Sequence, residues 1–316
     1  MTARTPLRPE ALAAALERIE HTLVDWPVLE AVIARREAGI PDPQAPRRAA
    51  ALAAALCRLM SPDGSWGSDV FRTAENLLLL REIAPAPDTH VRGVAAAACA
   101  WLLARQDQPG RFGEGCDPAS HEAGLCEHHV SGFFSAGEPT HDLAARTLAA
   151  GGRFQTDAGA RFAASCLALR ALITWDTDRE RVEDGLRSLR VILMRHVPGA
   201  EPVGCCGYAS GVAAVGSVPY GEPDRVSALA GLARLAATQR GDGSWPGVDL
   251  FHVLEVLTSP ALLRHRLDAA EAAIQRAAGM LSLMLGPDGS WGRESGPVRT
   301  LIGWRTLRRA LRRTSA

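Results

Sequence analysis

The chain has 316 residues, of which 47% are hydrophobic, and its 35 basic and 35 acidic residues leave a formal net charge of zero. A neutral chain without a basic run offers no surface for nucleic acid or for an anionic membrane, so we expect neither partner. Every basic residue is arginine, which excludes Schiff-base chemistry and a phosphate-binding lysine.

The N-terminus and the cysteines indicate where the protein resides. No basic stretch followed by an apolar core opens the chain, and no apolar run of about 18 uncharged residues could span a membrane. The seven cysteines are odd in number, and Cys57 and Cys99 stand within Ala-rich helical stretches. We therefore predict a cytoplasmic protein with reduced cysteines and no integral membrane segment.

The first 38 residues predict one or two helices, in "RPEALAAALERIEHTL" and "PVLEAVIARREAG". They carry none of the repeated phrases found further along the chain. We therefore expect residues 1–38 to form an N-terminal helical extension that caps one end of a domain spanning 39–316.

From residue 61 onward a glycine followed two positions later by an aromatic residue recurs along the chain. The glycines are 46, 42, 91 and 46 residues apart, and the interval of 91 is close to two periods, with a degenerate copy near residue 200. Such a fixed period indicates stacked supersecondary units, here six of roughly 45 residues. The pairs are Gly64/Trp66, Gly110/Phe112, Gly152/Phe154, Gly243/Trp245 and Gly289/Trp291.

Each unit has the same order of elements. An amphipathic helix such as 222–238 comes first, then the glycine–aromatic turn, then a shorter and more apolar helix such as 69–80 or 249–257. The glycine permits the left-handed conformation that ends a helix. Six such hairpins predict an all-α (α/α)6 toroid, with the apolar second helices as the inner wall.

The repeats carry a family resemblance. Gln239-x-x-x-Gly243-x-Trp245 is similar to the Q-x-x-x-G-x-W (QW) repeat of squalene–hopene and oxidosqualene cyclases, and Gln106-x-x-x-Gly110-x-Phe112 nearly matches it. The chain thus resembles the terpene cyclase and protein prenyltransferase superfamily of α/α toroids over residues 40–310. The resemblance implies a central cavity and a small isoprenoid or other apolar substrate.

One departure concerns how a reaction would start. Class II terpene cyclases protonate an alkene with D-x-D-D-T-A, and the matching stretch here is Asp69-Val70-Phe71-Arg72-Thr73-Ala74. Phe71 and Arg72 replace the two central acids, so protonation by that site is not expected. The acid must then come from elsewhere on the inner wall.

Polar and aromatic residues at the start of the inner helices are the candidate site, because helix N-termini would converge on one mouth. For proton transfer we predict His121, Glu122, His252, Glu255 and Glu75. For substrate binding we predict Asp69, Arg72, Phe71, Arg161, Tyr208 and Phe251.

A zinc site is the alternative. Cys206 and His252 lie on successive predicted inner helices, and "VDLFH" and "CCGYASG" resemble metal-binding segments of protein prenyltransferase β-subunits and toroidal lanthionine cyclases. Only these two ligands carry over, whereas a catalytic zinc has three protein ligands. Cys205, Glu201 or Asp249 would have to supply the third.

Three functional hypotheses remain open from the sequence. The first is a terpene cyclase-like enzyme that performs cyclisation, isomerisation or elimination by acid–base chemistry. The second is zinc-dependent, prenyltransferase-like or lanthionine cyclase-like thiol chemistry. The third is a non-catalytic toroid that binds a lipid or a partner. A homo-oligomer or a partner subunit is compatible with all three.

Overall fold

The computed structural model describes residues 9–106, 133–136, 142–196, 198, 204–218, 222–264, 267–292 and 295–314. These residues form helices and contain no strand. The helices are α1 (Pro9–Asp25), α2 (Leu29–Ala38), α3 (Ala45–Arg58), α4 (Val70–Ile83), α5 (Thr89–Leu103), α6 (Asp157–Thr174), α7 (Arg179–Arg195), α8 (Gly204–Ser217), α9 (Glu222–Ala237), α10 (Leu250–Thr258), α11 (Pro260–Leu263), α12 (Asp268–Met284) and α13 (Gly296–Thr314).

Six of these helices form a closed inner ring. Helix α2 packs against α4, α4 against α6, α6 against α8, α8 against α10 and α10 against α13, which returns to α2. The outer layer consists of α1, α3, α5, α7, α9 and α12, each packed against the inner helices. The predicted all-α toroid is therefore confirmed.

Three glycine–aromatic turns are bonded to the outer helix that precedes them, namely α3, α9 or α12. The indole Nε1 of Trp66 donates to the carbonyl oxygen of Leu56 at 3.0 Å, and Trp291 donates to Leu281 at the same distance. Trp245 donates to Leu235 at 2.7 Å. The last turn of a helix leaves carbonyl groups without intrahelical partners, so these buried tryptophans satisfy one acceptor each.

The glycines of the same turns let neighbouring hairpins approach. A Cβ atom on Gly243, whose φ is +92°, would lie 2.5 Å from the carbonyl oxygen of Arg276 on α12. A Cβ atom on Gly289 would lie 2.6 Å from the carbonyl oxygen of Arg18 on α1. Only glycine fits where backbone meets backbone this closely.

The sequence predicted that the N-terminal helices cap one end of the domain. In the structure they instead form one of the six hairpins. Helix α2 occupies the inner ring between α13 and α4, and α1 packs outside it. Trp304 Nε1 on α13 donates to the Glu20 carboxylate of α1 at 3.1 Å. The hairpin predicted after Gly110 begins in residues 107–132, which lie outside the described residues.

Ion pairs join the first and last inner helices at the end of the ring opposite the helix N-termini. Arg305 of α13 donates to Glu37 of α2, with Nε 3.1 Å from Oε2, and its Nη2 lies 3.0 Å from Glu82 of α4. These contacts fasten α13, α2 and α4 to one another. Within the described residues, no helix is long and apolar enough to cross a membrane.

Candidate functional site

The N-terminal ends of the inner helices form one mouth of the ring, and the ends of α4, α6 and α10 are each capped by a side chain. Asp69 caps α4 by accepting from the backbone N–H of Arg72 at 3.2 Å. Thr156 caps α6, and Asp249 caps α10 by accepting from the N–H of Phe251 at 2.9 Å. Asp69, predicted to bind substrate, therefore has a structural role as a cap.

Residues 142–156, which precede α6, lie across this mouth, and we call them the closing segment. Arg146 forms an ion pair with Asp69, and the N–H of Ala149 donates to Glu75 Oε1 of α4 at 3.0 Å. Arg299 of α13 donates from Nε to the carbonyl oxygen of Ala150 at 2.7 Å. The segment thus binds inner helices on separate sides of the ring and covers the opening between them.

Two predicted substrate-binding aromatics lie beneath these arginines. Phe71 packs against Phe154 with ring centroids 5.7 Å apart, and the Arg146 guanidinium lies 5.9 Å from its ring. The Arg299 guanidinium lies 5.2 Å from the ring of Phe251. Both phenylalanines are buried with the closing segment in place. Their faces are therefore engaged by cations of the protein itself.

Glu75 lies one and a half turns into α4, on the side that faces the ring interior. Its pKa is raised to about 7, chiefly by burial and also by the nearby charge of Glu255, while the Ala149 N–H and Arg72 act in the opposite direction. A carboxyl group with this pKa holds its proton at neutral pH in a substantial fraction of molecules. Glu75 is the one carboxyl predicted to be catalytic whose pKa is raised toward neutrality among the described residues.

Glu255 of α10 is held in the opposite protonation state. Burial by itself would raise its pKa, but Arg170 of α6, whose Nη1 lies 2.8 Å from Oε1, and then His252 lower it below the ordinary value. The Oε2 atom lies 3.8 Å from Nδ1 of His252. The pKa values of two carboxyl groups that interact electrostatically are thus shifted in opposite directions, a difference that suits acid and base roles.

His252 is buried, and its contacts decide which nitrogen carries the proton. Its Nε2 lies 3.1 Å from the carbonyl oxygen of Cys206 and 3.1 Å from Ser210 Oγ on α8. A carbonyl oxygen can only accept, so Nε2 carries the hydrogen and Nδ1 is free of it in the neutral ring. Burial lowers the pKa of His252. The imidazole therefore does not activate Ser210 and instead faces the Glu255 carboxylate.

The chain is similar to known proteins in its architecture rather than in its sequence. No protein-family model matches the chain, and no curated protein matches it. Type II terpene cyclase MstE from Scytonema, in its apo form, is 16% identical with a TM-score of 0.54, over 97% of this chain and 99% of that one. A protein from Actinoplanes is 18% identical with a TM-score of 0.53, over 95% and 99%. The chain has a terpene cyclase-like fold.

A further structure shows a variant of MstE in complex with geranylgeranyl dihydroxybenzoate, named as its substrate. It is 16% identical with a TM-score of 0.52, over 96% of this chain and 98% of that one. At this level of identity the likeness concerns the terpene cyclase-like fold alone. The chemistry has to be argued from the side chains of this chain.

The zinc ligands suggested by the sequence do not converge in this terpene cyclase-like fold. Cys206 Sγ lies 3.8 Å from the carbonyl oxygen of Arg153, and His252 uses Nε2 on the backbone of Cys206. No group of three His, Cys, Asp or Glu side chains among the described residues could hold a metal ion. Glu201 and the side chain of Cys205 lie outside what is described. The described donor set does not fit a catalytic zinc.

The remaining predicted residues are placed as follows. Tyr208 does not line the cavity: it is fully buried, and its hydroxyl donates to the carbonyl oxygen of Leu193 on the outer helix α7 at 3.2 Å. Arg161 is buried and forms an ion pair with Asp157 at 2.7 Å, while Arg72 is exposed. His121 and Glu122 lie outside the described residues and stay predictions.

Three groups of the site were not predicted from the sequence: Arg170, Arg146 and the Ala149 N–H. Arg170 left a readable signal, because it is the lone charged residue in the apolar run "FAASCLALRALIT" of α6. A charge in such a run requires a partner. Arg146 and Ala149 belong to an irregular connection, where residue pattern does not determine position.

Proposed function

We propose that this protein is a terpene cyclase-like enzyme in which Glu75 donates a proton to an alkene of an isoprenoid substrate. The observation that carries the proposal is the carboxyl group of Glu75, which faces the interior of a closed ring with its pKa raised to about 7. The likeness of the fold to a type II terpene cyclase supports the substrate class.

The reaction conserves the atoms of the substrate. Glu75 transfers its proton to one alkene carbon, and the electron pair of that double bond forms the new C–H bond. The resulting cation closes a ring or rearranges, and Glu255 removes a proton from a neighbouring carbon to form the product alkene. Glu255 then passes the proton that it has taken to Glu75, with which it interacts electrostatically. This step restores the starting protonation state of both residues.

The hydrogen bond from Ala149 assigns different tasks to the two oxygens of Glu75. Oε1 accepts from this N–H at 3.0 Å, which leaves Oε2 to carry the transferred proton. Phe71 and Phe251 offer ring faces to a cation once Arg146 and Arg299 have turned away from them. His252 acts on the reaction through Glu255. The cytoplasmic location and a partner subunit remain predictions.

Solvent deuterium tests the proposal directly. We expect incubation with geranylgeranyl dihydroxybenzoate or another geranylgeranyl substrate in D2O to give an isomeric product that gains one deuterium. Glu75→Gln, which cannot donate a proton, should reduce product formation by at least about a hundredfold. The exposed Glu17→Gln is the matched control and should retain full turnover. Equal turnover in Glu75→Gln and the wild type would contradict the assignment.

A non-catalytic toroid is the second candidate, and the closing segment favours it. The backbone of this segment donates a hydrogen bond to Glu75, whose pKa is raised, and the segment covers the rings of Phe71 and Phe251 at the mouth. This candidate predicts that geranylgeranyl compounds raise the melting temperature without any product. Deuterium in a product would exclude it.

A further inference from the structure

Arg170 connects inner helices that are not neighbours in the ring. It lies on α6, and the Glu255 that it binds lies on α10, with α8 between them. The Arg170 side chain is 13% exposed and the Glu255 side chain 32%. The 2.8 Å contact is a charge-assisted hydrogen bond that joins α6 directly to α10, and its guanidinium end is the more buried of the two.

The charged and titratable groups that act on Glu255 come from its own helix and from three other inner helices. Arg170 of α6 is in direct contact, and His252 of its own helix lies 3.8 Å away. Arg305 of α13 adds a second positive charge, and Glu75 of α4 is the facing acid. Only Arg170 bonds an oxygen of Glu255 and carries a permanent charge among these four groups.

Resting on the function proposed above, we infer that Arg170 is a positioning residue that holds the Glu255 carboxylate near Glu75 and so keeps the proton of the pair on Glu75. Glu75 and Glu255 repel each other when both are charged, so they cannot both ionise without cost. The guanidinium decides which of the two ionises. Arg170 thereby assigns the acid role to α4 and the base role to α10.

The assignment has a consequence for the variants. Without the guanidinium, burial favours the neutral form of Glu255, and its negative charge no longer opposes ionisation of Glu75. Glu75 then releases its proton at lower pH. Lysine at position 170 keeps a positive charge beside Glu255, so Arg170→Lys should preserve much of the wild-type behaviour.

The experiment is an infrared pH titration of the full-length protein, in which each variant is measured against the same variant carrying Glu75→Gln. The difference isolates the protonated carboxyl of Glu75 without requiring a substrate. We expect Arg170→Gln to lower the midpoint of this titration by about one pH unit and Arg170→Lys to shift it by less than half as much. Arg187→Gln, which removes an exposed ion pair with Asp184, should leave the midpoint unchanged.

Glu255→Gln provides the second variant, since removing one partner of a buried pair can unfold a protein. Glu255→Gln removes the negative charge of Glu255 directly. It should therefore lower the midpoint of the Glu75 titration even if Arg170→Gln does not fold. An unchanged or raised midpoint in either variant would overturn the inference. Midpoints that shift as expected, together with no product from a geranylgeranyl substrate and the wild type, would instead count against the proposed function and leave the role of Arg170 intact.

Discussion

The turn 239–249 and the closing segment 142–156 share a sequence pattern but differ in what they contact. In the turn, the glycine of that pattern, Gly243, is in the left-handed region with φ +92°. In the closing segment, the left-handed residue is Gly151, with φ +86°, next to the pattern glycine Gly152; each stretch leads into an inner helix. Gly243 meets the backbone of α12, whereas Gly151 meets the flexible end of the Arg299 side chain. One pattern therefore builds a rigid joint between hairpins, and in the other place it builds an adaptable cover over the site.

The largest expected difference comes from replacing these two glycines. Gly243→Ala places a Cβ atom 2.5 Å from a backbone oxygen and strains φ, so we expect a loss of about 3 kcal/mol or more in unfolding free energy. Gly151→Ala meets the same strain but only a movable guanidinium, and should cost about 1 kcal/mol. Urea denaturation measures both.

Gly241→Ala is the control for this pair. No atom lies within 4 Å of its Cβ position, and its φ is not in the left-handed region, so stability should change by less than about 0.5 kcal/mol. Equal losses for Gly243→Ala and Gly151→Ala would show that the two segments do not differ as described.

The second prediction concerns pH and the carboxyl that the closing segment covers. The pKa of Glu75 is about 7 in the folded protein and 4.5 when unperturbed, so the folded state holds more protons between these values. Stability contributed through Glu75 therefore falls as pH rises from about 4.5 to 7, by about 3 kcal/mol in all. Denaturation of wild type and Glu75→Gln at several pH values should show Glu75→Gln gaining in relative stability over this range. A difference that does not vary with pH would contradict the raised pKa.

The third prediction concerns the aromatic residue of the rigid joint. Trp245→Phe keeps most of the buried ring but removes the donor to the carbonyl oxygen of Leu235. We expect a loss of about 1–2 kcal/mol in unfolding free energy, measured by urea denaturation. Trp291→Phe removes the same bond to Leu281 and should lose a similar amount. A neutral result in both would show that the tryptophans act through packing alone.

The smallest expected effect is local. A Cβ atom on Gly152 would lie 2.9 Å from Cβ of Asp249, so Gly152→Ala should push the closing segment away from α10. We expect hydrogen exchange to accelerate several-fold in residues 142–156, with a change of less than about 1 kcal/mol in global stability. Unchanged exchange there, or faster exchange throughout α12, would argue against a separable cover.

The fold could be predicted from the sequence because its joints repeat. At each turn between hairpins, only glycine allows the close approach of a neighbouring backbone, as at Gly243, and tryptophan reaches a helix carbonyl, as at Trp291. The same residue types therefore recur along the sequence. The hairpin of α1 and α2 was misplaced because the predicted extension contains none of these glycine–aromatic pairs. This hairpin closes the ring because the backbone of α1 contacts Gly289 of the last glycine–aromatic turn, although the hairpin has no such turn itself.

The site could be predicted only in part, because the repeat pattern of the sequence does not determine which way a helical side chain points or which distant residues it contacts. Residues two apart on a helix point to nearly opposite sides, so Tyr208 faces α7 while Ser210 faces His252. Glu75 and Glu255 were predicted as acids or bases from their helices alone. Their different protonation depends on the burial of Glu75 and on Arg170, which comes from another segment of the chain and binds Glu255.

The most direct test of the account is the protonation of Glu75 itself. Infrared difference spectra between the wild type and Glu75→Gln, recorded in D2O from pH 5 to pH 9, report whether the extra carboxyl holds its proton. The account predicts a protonated carboxyl band that disappears with a midpoint of about 7. A carboxyl already ionised at pH 5 would contradict it.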